Sequence, residues 1–422
     1  MRAERLFAAV DIGTVKVCAL AAEMTEKGPR VLASAIVPSR GIKKGAVVSR
    51  DEAAASVQSA VREIQNASGR KIPKAVVGIS GQHVSGISGT GVIGIRGREI
   101  TLDDRMRAVD SAKAVYMPLD REVLHVIPSG FVLDGEQGIT DPVGMSGVRL
   151  ESRVYIITAQ AQAVQDLEQS CRTAGLEVLA MVFGPAATAL ATLTRDEIMR
   201  GAVLIDIGGG TTDIAVFRNG AVVHAAVVGI GGLHLTNDLA VCLNVDVADA
   251  ERLKITAGAA CREAGHGSMH AGSSLPTDAA RAISKSHLVS VIQPRCEELF
   301  ELVRQELRQA FPQGPHPRSA VLTGGTAYLD NMSGLAASIL GMPARLGMPQ
   351  GKFGIQGSLR NPACAAAIGL LAYAVEHGML DRMTGALPGS TIGNMKKRVT
   401  DLTGYKDFLE MLQKKKKGVS YV

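Results

Sequence analysis

Two stretches of this chain bring acid, glycine and hydroxyl together directly after an apolar run: "AAVDIGTVKVCAL" (Ala8–Leu20) and "LIDIGGGTTDIAVF" (Leu204–Phe217). Glycine lets backbone N–H groups approach and cradle a phosphate, because it tolerates positive φ and has no Cβ in the way. Gly13 serves in the first turn and Gly208, Gly209 and Gly210 in the second, with the Thr14, Thr211 and Thr212 hydroxyls and the Lys16 ammonium as further phosphate contacts. An acid beside phosphate repels it unless a cation lies between. Asp11 and Asp206 therefore point to a hydrated Mg²⁺, an ion that keeps most of its waters and takes few carboxylates. The plainer reading is a pair of strand-terminal turns with capping aspartates. It fits one such turn alone better than two, joined by a third, "TGGT" (Thr323–Thr326).

Other nucleotide signatures are absent or out of context. No GxxxxGK[ST] occurs, so a P-loop is excluded. The GxGxxG at Gly89, Gly91 and Gly94 is followed by "IRGREIT", which does not start a helix, and a β-turn is the expected account of it. No nucleophile–base pair is recognisable, and the nine histidines look isolated.

Each acidic turn must be positioned by a buried strand. Its recurrence after two strands implies a duplicated βαβ-like unit, an α/β protein. Helical periodicity follows over Arg50–Gln65, Leu235–Gly258 and Leu329–Leu340. Between about Gly81 and Thr158 the texture changes to short, glycine-rich alternating strands with one helical run, Asp103–Tyr116. This reads as a small α+β insert. A further helical region, Asp246–Gln313, carries a polar loop, "HGSMHAGSSLPT". Thr384–Gly404 reads as a linker.

Composition narrows the classes. A chain of 422 residues, 46% hydrophobic and 20% charged, suits an ordinary multidomain protein. Aromatics are only 3% and tryptophan is absent, which argues against base-stacking platforms for nucleic acid. The six cysteines are scattered without CxxC or Cys/His metal spacing, so buried thiols in a reducing compartment are expected. No secretory signal or membrane-spanning run is legible, and a cytoplasmic location is expected. Net charge is +6, but residues 396–422 hold eight basic and three acidic side chains and so carry nearly all of it. That is a basic tail, not a basic folded face, and it counts against nucleic acid. In the tail, Tyr405, Phe408, Leu409 and Leu412 form one helical stripe, and Lys414, Lys415, Lys416 and Lys417 follow at once. Apolar insertion plus lysine attraction is a workable pair of signals for an anionic membrane surface. A solvated tail or a helix that docks on protein is the alternative.

The order of these turns resembles the phosphate-1, phosphate-2 and adenosine motifs of the actin, Hsp70 and sugar-kinase superfamily. A finer resemblance, over nearly the whole chain, is to the bacterial FtsA cell-division family. It rests on "SRGIKKGAVV" (Ser39–Val48), "HVIPSGFVLDG" (His125–Gly135), "DPVGMSGVRLE" (Asp141–Glu151), "GGLHLTNDLA" (Gly231–Ala240) and "NPACAAAIGLLAYA" (Asn361–Ala374). The resemblance implies an actin-like two-domain ATPase fold with duplicated RNase H-like cores. Residues 1–82 and 163–194 would form subdomain 1A, and 83–162 the inserted 1C. Subdomain 2A would take 195–240 and 316–360, and 2B 241–315. A C-terminal helix (361–382) would return to 1A, ahead of a linker (383–404) and a membrane-targeting helix (405–417).

The resemblance further implies ATP with Mg²⁺ as cofactors, Glu251 and Lys254 at the ribose, and Gly324, Gly325 and Thr326 beside the adenosine. An ordinary surface ion pair is the alternative for Glu251 and Lys254, at i, i+3. It implies self-assembly into filaments, anionic inner-membrane lipids and other division proteins as partners, and capture of the C-terminal peptide of tubulin-like FtsZ by Arg295 and Glu298. One position departs from Hsp70-type relatives: Gly184, in "VFGPAATALATL", stands where a glutamate would position the attacking water. At most a slow ATPase is expected. A sugar or acetate kinase would need an acid nearby, an Hsp70-like chaperone a substrate domain, and a pilus-assembly relative no lipid-inserting tail.

Overall fold

The computed structural model describes residues 6–25, 28–115, 117–261, 274–275, 283–350, 357–377 and 400–401. The chain begins with an antiparallel meander, β1 (Leu6–Ile12), β2 (Lys16–Thr25) and β3 (Gly28–Pro38). A short hairpin, β4 (Ile42–Lys43) and β5 (Ala46–Val47), leads into α1 (Arg50–Ser68) and β6 (Lys74–Ile79). The helix buries Ala53, Val57, Ala60, Val61 and Ile64, one stripe at helical spacing. Asp51 and Glu52 sit at its positive end, and left-handed Gly69 (φ 66°) ends it.

The insert follows: β7 (Val84–Gly94), α2 (Leu102–Ala112), β8 (Arg121–Leu133), β9 (Glu136–Ile139) and β10 (Arg149–Gln160). The chain then returns to the first core through α3 (Ala161–Thr173), β11 (Glu177–Phe183) and α4 (Gly184–Thr192). The second half comprises α5 (Arg195–Arg200), β12 (Ala202–Ile207), β13 (Thr212–Arg218), β14 (Ala221–Val228), α6 (Gly232–Leu243) and α7 (Val247–Ala257). It continues with β15 (Ser274–Leu275), β16 (Ile283–Ser284), α8 (Lys285–Ala310), β17 (Ser319–Thr323), α9 (Met332–Leu340) and β18 (Ala344–Leu346). Last come α10 (Ala365–Glu376) and β19 (Thr400–Asp401).

The two main sheets repeat one topology. In the first the order is β11-β6-β1-β2-β3 and in the second β18-β17-β12-β13-β14. Each has an antiparallel meander whose first strand also pairs, in parallel, with a later strand. The central strands β1 and β12 are apolar up to Asp11 and Asp206 near their ends, because both faces are covered. On the first sheet α10 crosses α4 so closely that a Cβ on Gly369 would lie 2.0 Å from the Ala187 carbonyl oxygen.

The insert's sheet runs β19-β8-β10-β7, with β9 on β8. Its GxGxxG is not a turn. Gly89 and Gly91 lie within β7 and let α2 rest on the strand: Cβ atoms there would come within 2.3 Å of Ala112 O and 2.1 Å of Ala112 N. Missing side chains here serve packing, not phosphate. Three other expectations also change. The helix expected over Leu235–Gly258 is broken at left-handed Asn244 (φ 52°) into α6 and α7. The helix expected from Leu329 starts only at Met332, after left-handed Asn331 (φ 60°), and a 3₁₀ turn, Gly325–Tyr328, precedes it. Thr400–Asp401, inside the expected linker, pairs with β8 as a parallel strand. The tail residues Tyr405–Lys417 lie outside the described residues.

All six cysteines are free thiols; Cys18, Cys171, Cys296 and Cys364 are buried, and Cys242 is exposed.

Candidate nucleotide cleft

The two acidic turns sit at equivalent places in the two sheets. In the first, Gly13 N–H donates to the Lys16 carbonyl at 2.9 Å; in the second, Gly208 N–H donates to the Thr211 carbonyl at 2.9 Å. Register pairs Asp11 with Cys18 and Asp206 with Asp213. The turns interlock across the halves. A Cβ on Gly209 would fall 2.2 Å from Val15 Cγ2, and one on Gly210 would fall 2.7 Å from Thr14 Oγ1. The glycines are thus needed both for N–H access and for the meeting of the two halves.

A cleft of ≈520 Å³ opens along this meeting line. Asp11, Gly13, Thr14, Lys16, Asp206, Gly208, Gly209, Gly210, Thr211, Glu251, Lys254, Gly324, Gly325 and Thr326 all line it. Thr212 does not. It is the first residue of β13, so its side chain points opposite to that of Thr211, and its hydroxyl donates to Ile230 O at 2.9 Å in the core. That hydroxyl holds the approach to α6 rather than a phosphate.

Charge in the cleft is concentrated and poorly screened. Burial raises the pKa of Asp11 despite the nearby Lys16 ammonium. Burial, reinforced by Asp11, lifts Asp206 to about 7, and burial, reinforced by Asp206, lifts Asp213 to about 8. Asp213 was not singled out from the sequence. It lines the cleft and accepts hydrogen bonds from Gly81 N–H (3.2 Å) and Thr211 Oγ1 (3.3 Å). Lys16 is opposed by burial, yet Asp11 leads the neighbours that raise its pKa overall, and its ammonium donates to the Ala363 carbonyl. Among the described residues no group of three or more His, Cys, Asp or Glu side chains is placed to cage a metal. Asp11 and Asp206, both on the cleft wall, are the two carboxylates that a largely hydrated divalent cation could take there.

The far wall is built by α6, α7 and the turn after β17. Lys254 Nζ donates to Glu251 Oε2 (2.6 Å), Thr236 Oγ1 (2.8 Å) and Gly232 O (3.0 Å). With 7% of its surface exposed, Lys254 is no ordinary surface partner. It pins the start of α6 to α7 and fixes the Glu251 carboxylate at the cleft edge. Thr326 Oγ1 donates to Gly208 O at 3.0 Å, tying the third glycine turn to the second. Gly324 adopts φ 86°, ψ 164°, a conformation open almost only to glycine, and brings its backbone against Asp206.

Gly184 lines the cleft as the first residue of α4, facing Ser80. The position is open to the site but carries no acid. Ser80, Gly45 and Tyr328 also line the cleft without having been singled out; Gly45 N–H donates to Thr14 Oγ1 at 3.3 Å.

Arg295 and Glu298 lie on α8, away from this cleft. Arg295 is already engaged: Nε and Nη2 donate to the Asp238 carboxylate (2.7 and 3.1 Å) and Nη1 to Glu298. Three of its five N–H groups are therefore occupied.

Comparison with known proteins agrees with this architecture. Residues 203–369 match the family described as "Cell division protein FtsA", and residues 81–158 match the "SHS2 domain inserted in FTSA". The cell division protein FtsA of Pseudomonas aeruginosa is 39% identical over 92% of this chain and 93% of its own length. That of Bacillus subtilis is 32% identical over 90% and 86%, and that of Escherichia coli K12 32% over 88% and 91%. Among solved structures, a PilM–PilN type IV pilus biogenesis complex superposes with TM-score 0.62 at 19% identity, covering 89% of this chain and 99% of that one. MreB5 of Spiroplasma citri bound to ADP superposes with TM-score 0.51 at 14% identity, covering 90% and 98%. Those two likenesses show an actin-like ATPase fold and no more. The sequence matches show more: this chain belongs to the FtsA family of cell division proteins.

Proposed function

We propose that this chain binds Mg²⁺-ATP between its halves, self-assembles, and anchors the FtsZ ring to the cytoplasmic face of the membrane during division. The observation that carries the reading is the pair of interlocked turns at equivalent points of a duplicated fold, with Asp11, Asp206 and Asp213 facing one cleft. N–H groups of Gly209 and Gly210 and the Lys16 ammonium would hold the phosphates, while the Gly13 and Gly208 N–H groups close their own turns. Asp11 and Asp206 would hold a hydrated Mg²⁺, which when bound neutralises phosphate charge. Glu251 would meet the ribose hydroxyls, with Lys254 keeping its carboxylate in place. The backbone of Gly324 and Gly325 and the side chain of Thr326 would border the adenosine. Without an acid at position 184, turnover is slow and ATP serves chiefly to hold the halves together.

For FtsZ, the two N–H groups that Arg295 has left would meet an acidic peptide. Val241, one turn beyond Asp238 on α6 and 80% exposed, would offer it an apolar contact. No helix among the described residues is long and apolar enough to cross a membrane. Attachment would fall to the stripe Tyr405, Phe408, Leu409 and Leu412 and to Lys414–Lys417. Co-sedimentation with anionic liposomes and Mg-ATP tests this. The full chain should pellet and a chain ending at Gly404 should not; equal pelleting of the two, or none by either, contradicts the tether.

A further inference from the structure

The insert touches the cleft through two separate arms. The first is the segment Ser80–His83, which joins β6 to β7. Ser80 lines the cleft. Gly81 N–H reaches across to Asp213 of the second half, and the Gly81 carbonyl accepts from Val84 N–H, the first residue of β7, at 2.9 Å. The His83 carbonyl accepts from Gln160 N–H at the end of β10 (3.1 Å) and from Arg121 Nη2 at the start of β8 (3.0 Å). Three insert strands thus converge on a short segment whose other end holds a cleft carboxylate. Gly81 sits at φ 127°, which favours glycine, and Cβ contacts there would be 2.7 Å from Lys44 O.

The second arm is His125 of β8, a fully buried side chain. Its Nε2 accepts the Phe183 N–H at 2.8 Å. A backbone N–H can only donate, so Nε2 is unprotonated. The next residue, Gly184, is cleft wall. The ring also stands edge-on to Tyr373 of α10, with centroids 5.9 Å apart. The two arms meet at the cleft: a Cβ on Gly184 would lie 3.3 Å from Ser80 Cβ.

We propose that the insert senses closure of the cleft through these two arms, with His125 as the positioning residue that ties β8 to the Gly184 wall. The inference rests on the nucleotide reading above. Movement of the second half carries Asp213, and with it Gly81 and the root of β7. Because His125 holds β8 to the opposite wall, such movement turns the insert rather than merely stretching its hinge.

The test is amide exchange over β7 and β8 in the full chain, with and without Mg-ATP, for wild type, His125→Ala and His125→Asn. Mg-ATP should slow exchange of wild-type β7 and β8. His125→Ala should lose that response and bind Mg-ATP about tenfold more weakly, the scale of one buried hydrogen bond. His125→Asn, whose side-chain oxygen can accept the Phe183 N–H, should restore both. Retained response in His125→Ala, or no rescue by His125→Asn, overturns the proposal. If His125→Ala does not fold, Arg121→Ala removes one of the two bonds to the His83 carbonyl, loosens the first arm and should also blunt the response; an unchanged response overturns the proposal. A wild-type chain that binds Mg-ATP without any change in the insert refutes the coupling alone. One that binds no Mg-ATP refutes the nucleotide reading and takes the coupling with it.

Discussion

The two acidic turns occupy the same place in a repeated topology and do opposite things. Around Asp11 the turn supplies a cation, Lys16, and ends in a thiol, Cys18, opposite the acid. Around Asp206 the turn supplies three glycines and ends in a second acid, Asp213, opposite the first. One half brings positive charge to the phosphates; the other brings space, N–H groups and negative charge. Duplication gives a shared scaffold, and the chemistry comes from where the copies diverge. The contrast shapes the charge at the phosphate end of the cleft, where Asp11, Asp206 and Asp213 face the Lys16 ammonium.

The contrast breaks most completely at the third glycine turn. Gly324→Ala puts a Cβ 2.5 Å from Ile207 O at a glycine-only backbone angle. It should cost about 2–3 kcal/mol of stability in urea unfolding and remove nucleotide binding. Next comes the Lys16 ammonium. Lys16→Met should weaken Mg-ATP by about 10- to 100-fold in a calorimetric titration, the scale of a charge-assisted hydrogen bond, while Asp213→Asn should not produce the same loss in the absence of Mg²⁺.

The excess of acid sharpens the contrast through pH. Asp206 and Asp213 are held near 7 and 8 in the folded chain, above the ordinary carboxylate value of 3.8. A raised carboxylate binds its proton in the native state after the unfolded chain has lost it. Its stabilisation is full below the unfolded value and is lost as pH rises through the folded one. Without nucleotide, the melting temperature should therefore fall progressively from about pH 4 to about pH 8 and level off above that. Asp213→Asn should flatten that fall, and Mg²⁺ with ATP should offset it. The smallest effect separates neighbours. Thr212→Val should cost about 1 kcal/mol by leaving Ile230 O without its donor, yet leave nucleotide affinity nearly unchanged.

Most of this cleft is legible in the sequence because phosphate turns are local: acid, glycine and hydroxyl lie within a few residues of a buried strand. What is not legible depends on register. In "GGGTTD" nothing local says where the turn ends and β13 begins, so Thr211 and Thr212 look alike although strand alternation sends them to opposite faces. Asp213 is hidden for the same reason: its place opposite Asp206 follows from the hairpin pairing. The glycines of β7 show the converse. Gly89 and Gly91 carry a phosphate-like spacing, but their use is the approach of α2, a tertiary contact that no local pattern encodes. The duplicated order is legible because both copies begin with the same acidic turn. The engagement of Arg295 by Asp238 is not, because the two residues lie on different helices and 57 positions apart in the chain.

The most direct test of the central claim is an isothermal titration of the full chain with ATP, with Mg²⁺ and with EDTA, for wild type and Asp206→Asn. A Mg²⁺-dependent cleft built on the divergence of the two turns predicts one ATP per chain with Mg²⁺, much weaker binding in EDTA, and loss of that difference in Asp206→Asn. Binding that is equally tight with and without Mg²⁺ in both proteins, or no binding at all, would contradict it.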